Sequence, residues 1–210
     1  MTERHETGLL SPPLSTGARL RATTGFLLAL VIAAGTGLGL TWWSIANGPR
    51  FGAMTIGPWQ AWPQIGGQDA DRYAKASVAR SGELPLAAGE GIAFVASEDS
   101  QGAALSGRCH YRIAPIGPPA RWWTLTLYDR ARHLVANPSD RYAFTSAEVV
   151  RESDGKATVI AAPEAAPGNW LPSPAGKFQL VLRLYDTPIS TGLAAEEAVM
   201  LPAITAEACS

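Results

Sequence analysis

The chain has 210 residues, a length sufficient for one domain plus an appendage. Its hydrophobic content of 47% is too high for a disordered protein. Its 17 Lys and Arg against 18 Asp and Glu give a net charge of -1, which argues against the basic surface that nucleic-acid binding requires. The 21 Gly and 16 Pro favour many turns and short strands over long helices.

The first predicted element is a transmembrane helix over residues 25–46, GFLLALVIAAGTGLGLTWWSIA, which follows an N-terminal tail at 1–24. No charged residue occurs between Arg21 and Arg50. A helix of roughly 20 apolar residues rises about 30 Å, the thickness of the hydrocarbon core of a bilayer. The segment therefore predicts a single membrane anchor.

Positive charge sets the expected orientation of this anchor. Arg4, Arg19 and Arg21 precede it, whereas only Arg50 follows closely. The positive-inside bias then places the N-terminus in the cytoplasm and the rest of the chain outside it. We expect a bacterial inner-membrane protein with a periplasmic domain.

A cleaved signal peptide is the alternative, because small residues at Ser44-Ile45-Ala46 suit a signal peptidase. Against cleavage, the apolar run exceeds the roughly 7–15 residues of the hydrophobic region of a signal peptide. Trp42 and Trp43 also occupy the place of an interfacial aromatic belt. These features favour an uncleaved anchor.

Residues 47–67 are rich in Gly, Pro and Trp and predict a linker arm, and residues 68–210 predict the exported domain. The segment DADRYAKASVARSG predicts one short soluble helix, with Asp69 as its cap and Gly82 after its end.

Beyond Gly89 the pattern is typical of β-structure. In RWWTLTLYD the apolar Trp123, Leu125 and Leu127 alternate with polar or aromatic residues, and KFQLVLRLYD repeats the alternation. Several such strands between turns predict a mainly β domain, an antiparallel β-sandwich or jelly roll.

These strand sequences carry a family resemblance. ARWWTLTLYD, NPSDRYAF and GNWLPSPAGKFQLVLRLYDTP together resemble the bacterial family called domain of unknown function 1214, over roughly Gly89 to Pro202. The resemblance implies a jelly-roll-like sandwich in an exported protein, often related to a companion family of unknown function 1254. Here an anchor and arm stand where two-domain members carry the companion domain, so a separate exported protein of that family is an expected partner. The family brings no established catalytic residues.

The sequence holds few candidates for catalysis. It has no H-E-x-x-H, Cys/His cluster or G-x-S-x-G motif, so we predict no metal site and no cofactor. His110 and His133 are interpreted as solvated or hydrogen-bonded. Asp129 and Asp186 both follow Leu-Tyr at a strand end, which suits either a glycosidase carboxylate pair or two turn residues.

A ligand-binding face is a further hypothesis. Polar and aromatic side chains alternate with the predicted core residues on two strands: Trp122, Thr124 and Tyr128 on one, Arg183 and Tyr185 on the other. Aromatic area beside a guanidinium suits an envelope glycan or an anionic lipid head group. Trp170, in the NWLP turn, is either a hydrophobic anchor or a further contact. Cross-strand pairing on a solvated face explains the same pattern without a ligand.

Cys109 and Cys209 both fall in the exported part, where oxidation is normal, so we expect them to form a disulfide. Together these features predict a membrane-anchored envelope protein that acts as a binding or assembly module. A hydrolase of envelope glycans or esters is the alternative, and a purely structural partner of a companion protein is a third interpretation.

Overall fold

The computed structural model describes residues 16–47, 52–67, 70–81, 84–87, 89–189 and 200–209. The chain divides into two compact units, residues 1–49 and residues 50–210.

The first unit contains helix α1, Thr16–Asn47. Its stretch Arg19–Ile45 is long and apolar enough to cross a membrane, with a mean hydropathy of 1.8. This length and composition fit a membrane anchor or a signal sequence. The helix begins nine residues before the predicted start at Gly25, because good helix formers such as Arg19, Leu20 and Arg21 continue it upstream. Residues 1–15 of the predicted tail lie outside the described residues.

The second unit is built mainly from strands, with one short helix. Its elements are β1 (Met54–Ile56), β2 (Trp59–Ala61), α2 (Arg72–Ser81), β3 (Gly91–Ala96), β4 (Cys109–Ile116), β5 (Trp122–Asp129), β6 (Ala143–Thr145), β7 (Ala157–Ala162), β8 (Asn169–Pro172), β9 (Phe178–Tyr185) and β10 (Ala203–Cys209).

The strands form two sheets. The six-stranded sheet has the order β1-β2-β3-β9-β5-β6 and is antiparallel throughout, whereas the four-stranded sheet has the order β10-β4-β7-β8. In the second sheet β7 and β8 run parallel, so this sheet is mixed and not antiparallel as predicted. Residues 163–168 make the connection, shorter than the dozen or so residues that usually join parallel neighbours.

The hydrophobic core lies between the two sheets. Leu125, Leu182 and Phe94 from the six-stranded sheet belong to one buried cluster with Ile113 and Val159 from the four-stranded sheet. The rings of Tyr111 in β4 and Phe178 in β9 meet edge to face, with centroids 5.7 Å apart. This two-layer packing confirms the predicted mainly β, sandwich-like domain.

The segment 47–67, predicted as a linker arm, instead supplies the β1–β2 hairpin at the edge of the six-stranded sheet. Gly57 occupies the first turn position with φ of 56°, a conformation that glycine adopts without strain and that a two-residue hairpin needs. Trp59 is fully buried, and its indole Nε1 donates a 2.7 Å hydrogen bond to the carbonyl of Pro202. The domain therefore includes residues that composition alone assigned to a linker.

The predicted soluble helix is present as α2, but its cap is Asp71. One carboxylate oxygen of Asp71 accepts hydrogen bonds from the backbone amides of Tyr73 and Ala74, at 2.8 and 3.0 Å. Asp69 and Gly82, the predicted start and end signals, lie outside the described residues.

The predicted disulfide between Cys109 and Cys209 is confirmed. The two residues are direct partners in the β4–β10 ladder, with Cα atoms 4.0 Å apart and a sequence separation of 100 residues. The bond links β10 to its neighbour β4 within the four-stranded sheet, and such bonds are typical of oxidising compartments.

Candidate functional site

Five of the six residues predicted to bind a ligand lie on the outer face of the six-stranded sheet. β5 and β9 are neighbours, and their register places Trp122 opposite Tyr185 and Thr124 opposite Arg183. Tyr128 lies two positions beyond Thr126 on the same face. We call this surface, formed by Trp122, Thr124, Tyr128, Arg183 and Tyr185, the outer face.

Arg183 is at the centre of the outer face. Its Nη1 lies 3.4 Å from the hydroxyl oxygen of Tyr128, and its Cζ lies 5.8 Å from the centroid of the Tyr128 ring. Arg183 lies opposite Thr124, and Tyr128 lies further along β5. The pair Val181 and Thr126 lies between them, so the Arg183 side chain must pass over this pair. Both are buried, at 6% and 8% exposure, and we infer that the aliphatic stem of Arg183 covers them.

The charge of Arg183 has no acidic partner in the described part of the chain. Among those residues no carboxylate lies within ion-pair distance of its guanidinium. Arg183 is nevertheless half-buried between the neighbouring residues of β3 and β5. A guanidinium that is partly removed from water is most stable with an anion beside it. Arg183 therefore makes the outer face favourable for a negatively charged group.

A small cleft opens beside Arg183. Its floor is Ala93 and Val95 of β3 together with Arg183. Its walls come from the segments on either side of α2 and are apolar: Trp62, Pro63, Ile65, Leu84, Pro85 and Leu86. The enclosed space is about 30 Å³. We call this space the Arg183 cleft.

Gly66 explains how the two wall segments approach each other. A Cβ at this position would collide with the backbone carbonyl of Leu86. Only glycine therefore allows the chain after Ile65 to lie against the chain at Leu86. Sequence reasoning missed these walls, although the apolar and proline-containing runs WPQIGG and LPLA flanking a short helix are a recognisable signal.

Trp170 is not part of the outer face, because it lies in β8 at the edge of the four-stranded sheet. Its indole Nε1 donates a 2.9 Å hydrogen bond to the carbonyl of Ala162, and its own carbonyl accepts one from Arg141 at 3.2 Å. The neighbouring Asn169 is buried and bonds through its side chain to Val150 and Thr158. These hydrogen bonds give both Trp170 and Asn169 a structural role that requires no ligand.

Asp129 and Asp186 do not form a carboxylate pair. In the antiparallel register Asp129 is opposite Phe178 at one end of β9, whereas Asp186 follows Tyr185 at the other end. With a rise of about 3.3 Å per residue the two are roughly 25 Å apart, far beyond the roughly 5–9.5 Å of glycosidases. The hypothesis of a glycosidase pair at these residues is wrong.

Both aspartates are turn residues. Asp129 accepts a 2.8 Å hydrogen bond from the backbone amide of His133, and its other carboxylate oxygen lies 3.8 Å from the His133 ring. Asp186 has a positive φ of 49°, and its backbone amide donates to the carbonyl of Glu90 while its carbonyl accepts from the amide of Arg121. The repeated Leu-Tyr-Asp ending thus marks two strand termini, at opposite ends of the sheet.

Two further contacts between titratable side chains do not involve the residues of the outer face. His110 and Glu164 meet within hydrogen-bond distance, 3.1 Å, at an exposed position of the four-stranded sheet. Desolvation, and then the hydrogen bond and charge of Asp140, raise the pKa of Tyr142, so that its hydroxyl stays protonated and donates to Asp140 at 3.2 Å. In the described ranges no three His, Cys, Asp or Glu side chains cluster as metal ligands would.

Solved structures with a similar fold include the VPA0106 protein from Vibrio parahaemolyticus. The match has 24% sequence identity and a TM-score of 0.54, covers 67% of this chain and spans only 36% of the Vibrio chain. A second match, an uncharacterized protein from Burkholderia cenocepacia, has 10% identity, a TM-score of 0.33 and coverage of 56% and 28% of the two chains. No curated protein matches the sequence.

The family comparison agrees with the resemblance noted in the strand sequences. The model of the family described as "Protein of unknown function (DUF1214)" matches residues 90–189, from just before β3 to just after β9. This stretch contains β5 and β9, and with them all five residues of the outer face. Residues 90–189 are therefore a domain of the family of unknown function 1214, as the sequence predicted.

Proposed function

We propose that this protein is a membrane-anchored, exported binding module that holds an anionic amphiphile on the outer face. The observation that carries the proposal is the half-buried guanidinium of Arg183, which has no carboxylate partner among the described residues. A ligand carboxylate or phosphate supplies the missing charge through a bidentate contact.

The shape of the Arg183 cleft supports a small charged group with an apolar remainder. A water needs roughly 10–15 Å³, so the enclosed 30 Å³ or so holds about two or three waters, the size of a carboxylate. The walls are apolar, and Leu84 is 92% exposed at their rim. An alkyl chain that leaves the cleft over Leu84 removes this apolar surface from water, which is favourable by about 25 cal/mol per Å².

An exported location is part of the proposal. The arginines that precede the apolar stretch of helix α1 support a cytoplasmic N-terminus in the bacterial inner membrane. The Cys109–Cys209 disulfide supports an oxidising space such as the periplasm for the β domain. Envelope lipids supply phosphate-bearing amphiphiles in that space, and free fatty acids supply carboxylate-bearing ones.

Retention of bound molecules tests this proposal. The full chain is extracted from bacterial membranes, purified, and analysed for co-purifying amphiphiles by mass spectrometry. The variants are Arg183→Gln, which removes the charge, and Gln179→Ala, a half-buried residue of the same strand and face, as the matched control. We expect retention to fall in Arg183→Gln and to persist in Gln179→Ala. Equal retention in all three proteins would refute an anion site at Arg183.

Assembly with a second exported protein is a further proposal. It is supported by the length of the Vibrio relative, of which this chain spans 36%. We infer that a companion of the family of unknown function 1254 supplies additional structure. Co-expression followed by affinity purification tests this, since a stable complex must elute at a defined stoichiometry and two separate peaks contradict it.

A further inference from the structure

A second cleft lies at the end of the sandwich where β5 begins, and it does not include Arg183. It is a shallow cleft, open to solvent, with a volume of about 560 Å³. Three chain segments line it: the loop of residues 117–121 before β5, the residues after β6, and the turn that leads into β7. We call it the end cleft.

The turn before β7 is held in one conformation by internal hydrogen bonds. Arg151 donates from Nη1 to the carbonyl of Gly155 and from Nη2 to the carbonyl of Ser146, both at 2.8 Å. Gly155 has a φ of 78°, which permits the tight turn, and Asp154 accepts from the backbone amide of Lys156 at 2.9 Å. The guanidinium of Arg151 is thereby occupied in shaping the wall of the cleft.

The opposite wall is also fixed. Thr187 is buried, and its hydroxyl donates a 2.7 Å hydrogen bond to the carbonyl of Pro119. This bond ties the loop before β5 to the chain that follows β9. Because both walls are held, the end cleft is a preformed concavity and not a gap between mobile loops.

The polar side chains of the end cleft are mainly cationic. Arg121, Arg151 and Lys156 line it together with one carboxylate, that of Asp154. Lys156 is half-buried, and within the described ranges its ammonium has no hydrogen-bond or ion-pair partner. Arg121 lies 3.7 Å from Asp186, but both side chains are more than 70% exposed, so water and salt screen that pair strongly.

Trp122 gives the end cleft a flat apolar surface. This side chain is 42% exposed, although large aromatic rings are usually buried. A pyranose ring presents a face of C–H groups that packs on an indole, and its substituents reach sideways to charged groups. An exposed indole beside two available cations therefore matches an acidic sugar better than it matches a simple anion or an alkyl chain.

We propose that the end cleft is a binding site for an acidic saccharide, whose sugar ring packs on Trp122 while its carboxylate contacts Lys156 and Arg121. This site is separate from the Arg183 cleft in residues and in ligand chemistry, so either assignment can fail without the other. Trp122 is the one residue common to the end cleft and the outer face.

The test uses two oligosaccharides of equal length on the full-length protein in detergent. Hexagalacturonate carries a carboxylate on every ring, maltohexaose carries none, and isothermal titration calorimetry measures both dissociation constants. We expect hexagalacturonate to bind at least about tenfold more tightly, and its affinity to fall as salt is raised, because exposed charge contacts are screened.

Three variants assign the binding to residues. Arg121→Gln/Lys156→Gln keeps the side-chain stems and should weaken hexagalacturonate binding about tenfold, since each exposed charge contact is worth about 0.2–1 kcal/mol. Trp122→Ala should weaken it by a similar factor. Arg130→Gln, an exposed cation at the other end of β5, is the matched control and should bind like the wild type.

Each alternative outcome overturns the proposal in a recognisable way. Unchanged affinity in the Arg121→Gln/Lys156→Gln variant excludes the end cleft as the site. Equal binding of both hexasaccharides shows a neutral-sugar site instead. Loss of affinity in the double variant with none in Trp122→Ala shows a bare anion patch without saccharide recognition.

Discussion

Nη1 of Arg183 lies 3.4 Å from the hydroxyl oxygen of Tyr128, which is four residues along β5 from Thr124, the residue opposite Arg183. The guanidinium is thus directed along the outer face, and we infer that its aliphatic stem covers the buried Val181 and Thr126. In the proposed function this one side chain has two roles, since the stem contributes packing and the charge contributes an anion contact.

The two roles of Arg183 can be separated by substitution. Arg183→Ala uncovers Val181 and Thr126, so we expect it to lower the free energy of unfolding by about 1 kcal/mol. Arg183→Met keeps an apolar stem of similar reach and should lose less. Urea unfolding of both variants gives the comparison, and equal losses would show that the stem contributes no packing.

The two faces of β9 should respond differently to truncation. Leu182 is fully buried in the core, and Leu182→Ala should cost roughly 2–5 kcal/mol because it leaves a cavity. Tyr185 lies on the outer face, and Tyr185→Ala should cost within about 0.5 kcal/mol. Denaturant midpoints measure both, and similar losses would contradict the assignment of faces.

Asn169 joins β8 to its surroundings through three hydrogen bonds. Its Oδ1 accepts from Val150 N at 2.8 Å, and its Nδ2 donates to the carbonyls of Val150 and Thr158 at 2.9 and 2.8 Å. Asn169→Ala leaves these buried groups unpaired, at a cost of about 1–3 kcal/mol or more. Asn137→Ala is the control, because the half-buried Asn137 also forms side-chain hydrogen bonds, but in a turn whose neighbouring residues are mostly exposed to water. A thermal midpoint for Asn169→Ala as high as that of the control would contradict this role.

The disulfide should stabilise the domain because it lowers the conformational entropy of the unfolded chain. A bridge that closes a loop of about 100 residues contributes up to about 4.7 kcal/mol in the chain-entropy model, and observed losses are typically about 2–5 kcal/mol. We expect Cys109→Ser/Cys209→Ser to lower the melting temperature, and reduction of the wild type to lower it equally. No change in either experiment would show that the bond is dispensable.

Strand alternation was the part of the fold that could be predicted well. The period-two pattern in β5 and β9 placed Leu125 and Leu182 in the core and Thr124 and Arg183 outside it, as found. Alternation is a local property that burial of one face dictates, so the sequence carries it. The disulfide was predictable because two cysteines allow only one pairing within a chain.

Features that depend on distant pairing could not be predicted. The composition of the hairpin around Gly57 is typical of a linker, and the segment is a strand pair in the structure because β2 pairs with the distant β3. The parallel placement of β8 and the separation of Asp129 from Asp186 follow from register, which the repeated Leu-Tyr-Asp motif does not encode. The Arg183 cleft likewise needs two segments, on either side of α2, that meet only in the folded domain.

Direct titration of the Arg183 cleft tests the proposed function most closely. Octyl phosphate, octanoate and octanol each have an eight-carbon chain and differ in their head group. Calorimetry measures the binding of each compound to the full-length wild type, Arg183→Gln and Gln179→Ala. We predict that both anions bind the wild type and Gln179→Ala but bind Arg183→Gln at least about tenfold more weakly, as expected for a lost charged hydrogen bond of about 1.5–3 kcal/mol. Octanol should bind all three weakly and equally. Anion binding that is unchanged in Arg183→Gln, or octanol binding as tight as that of the anions, would contradict the assignment of Arg183 as an anion site.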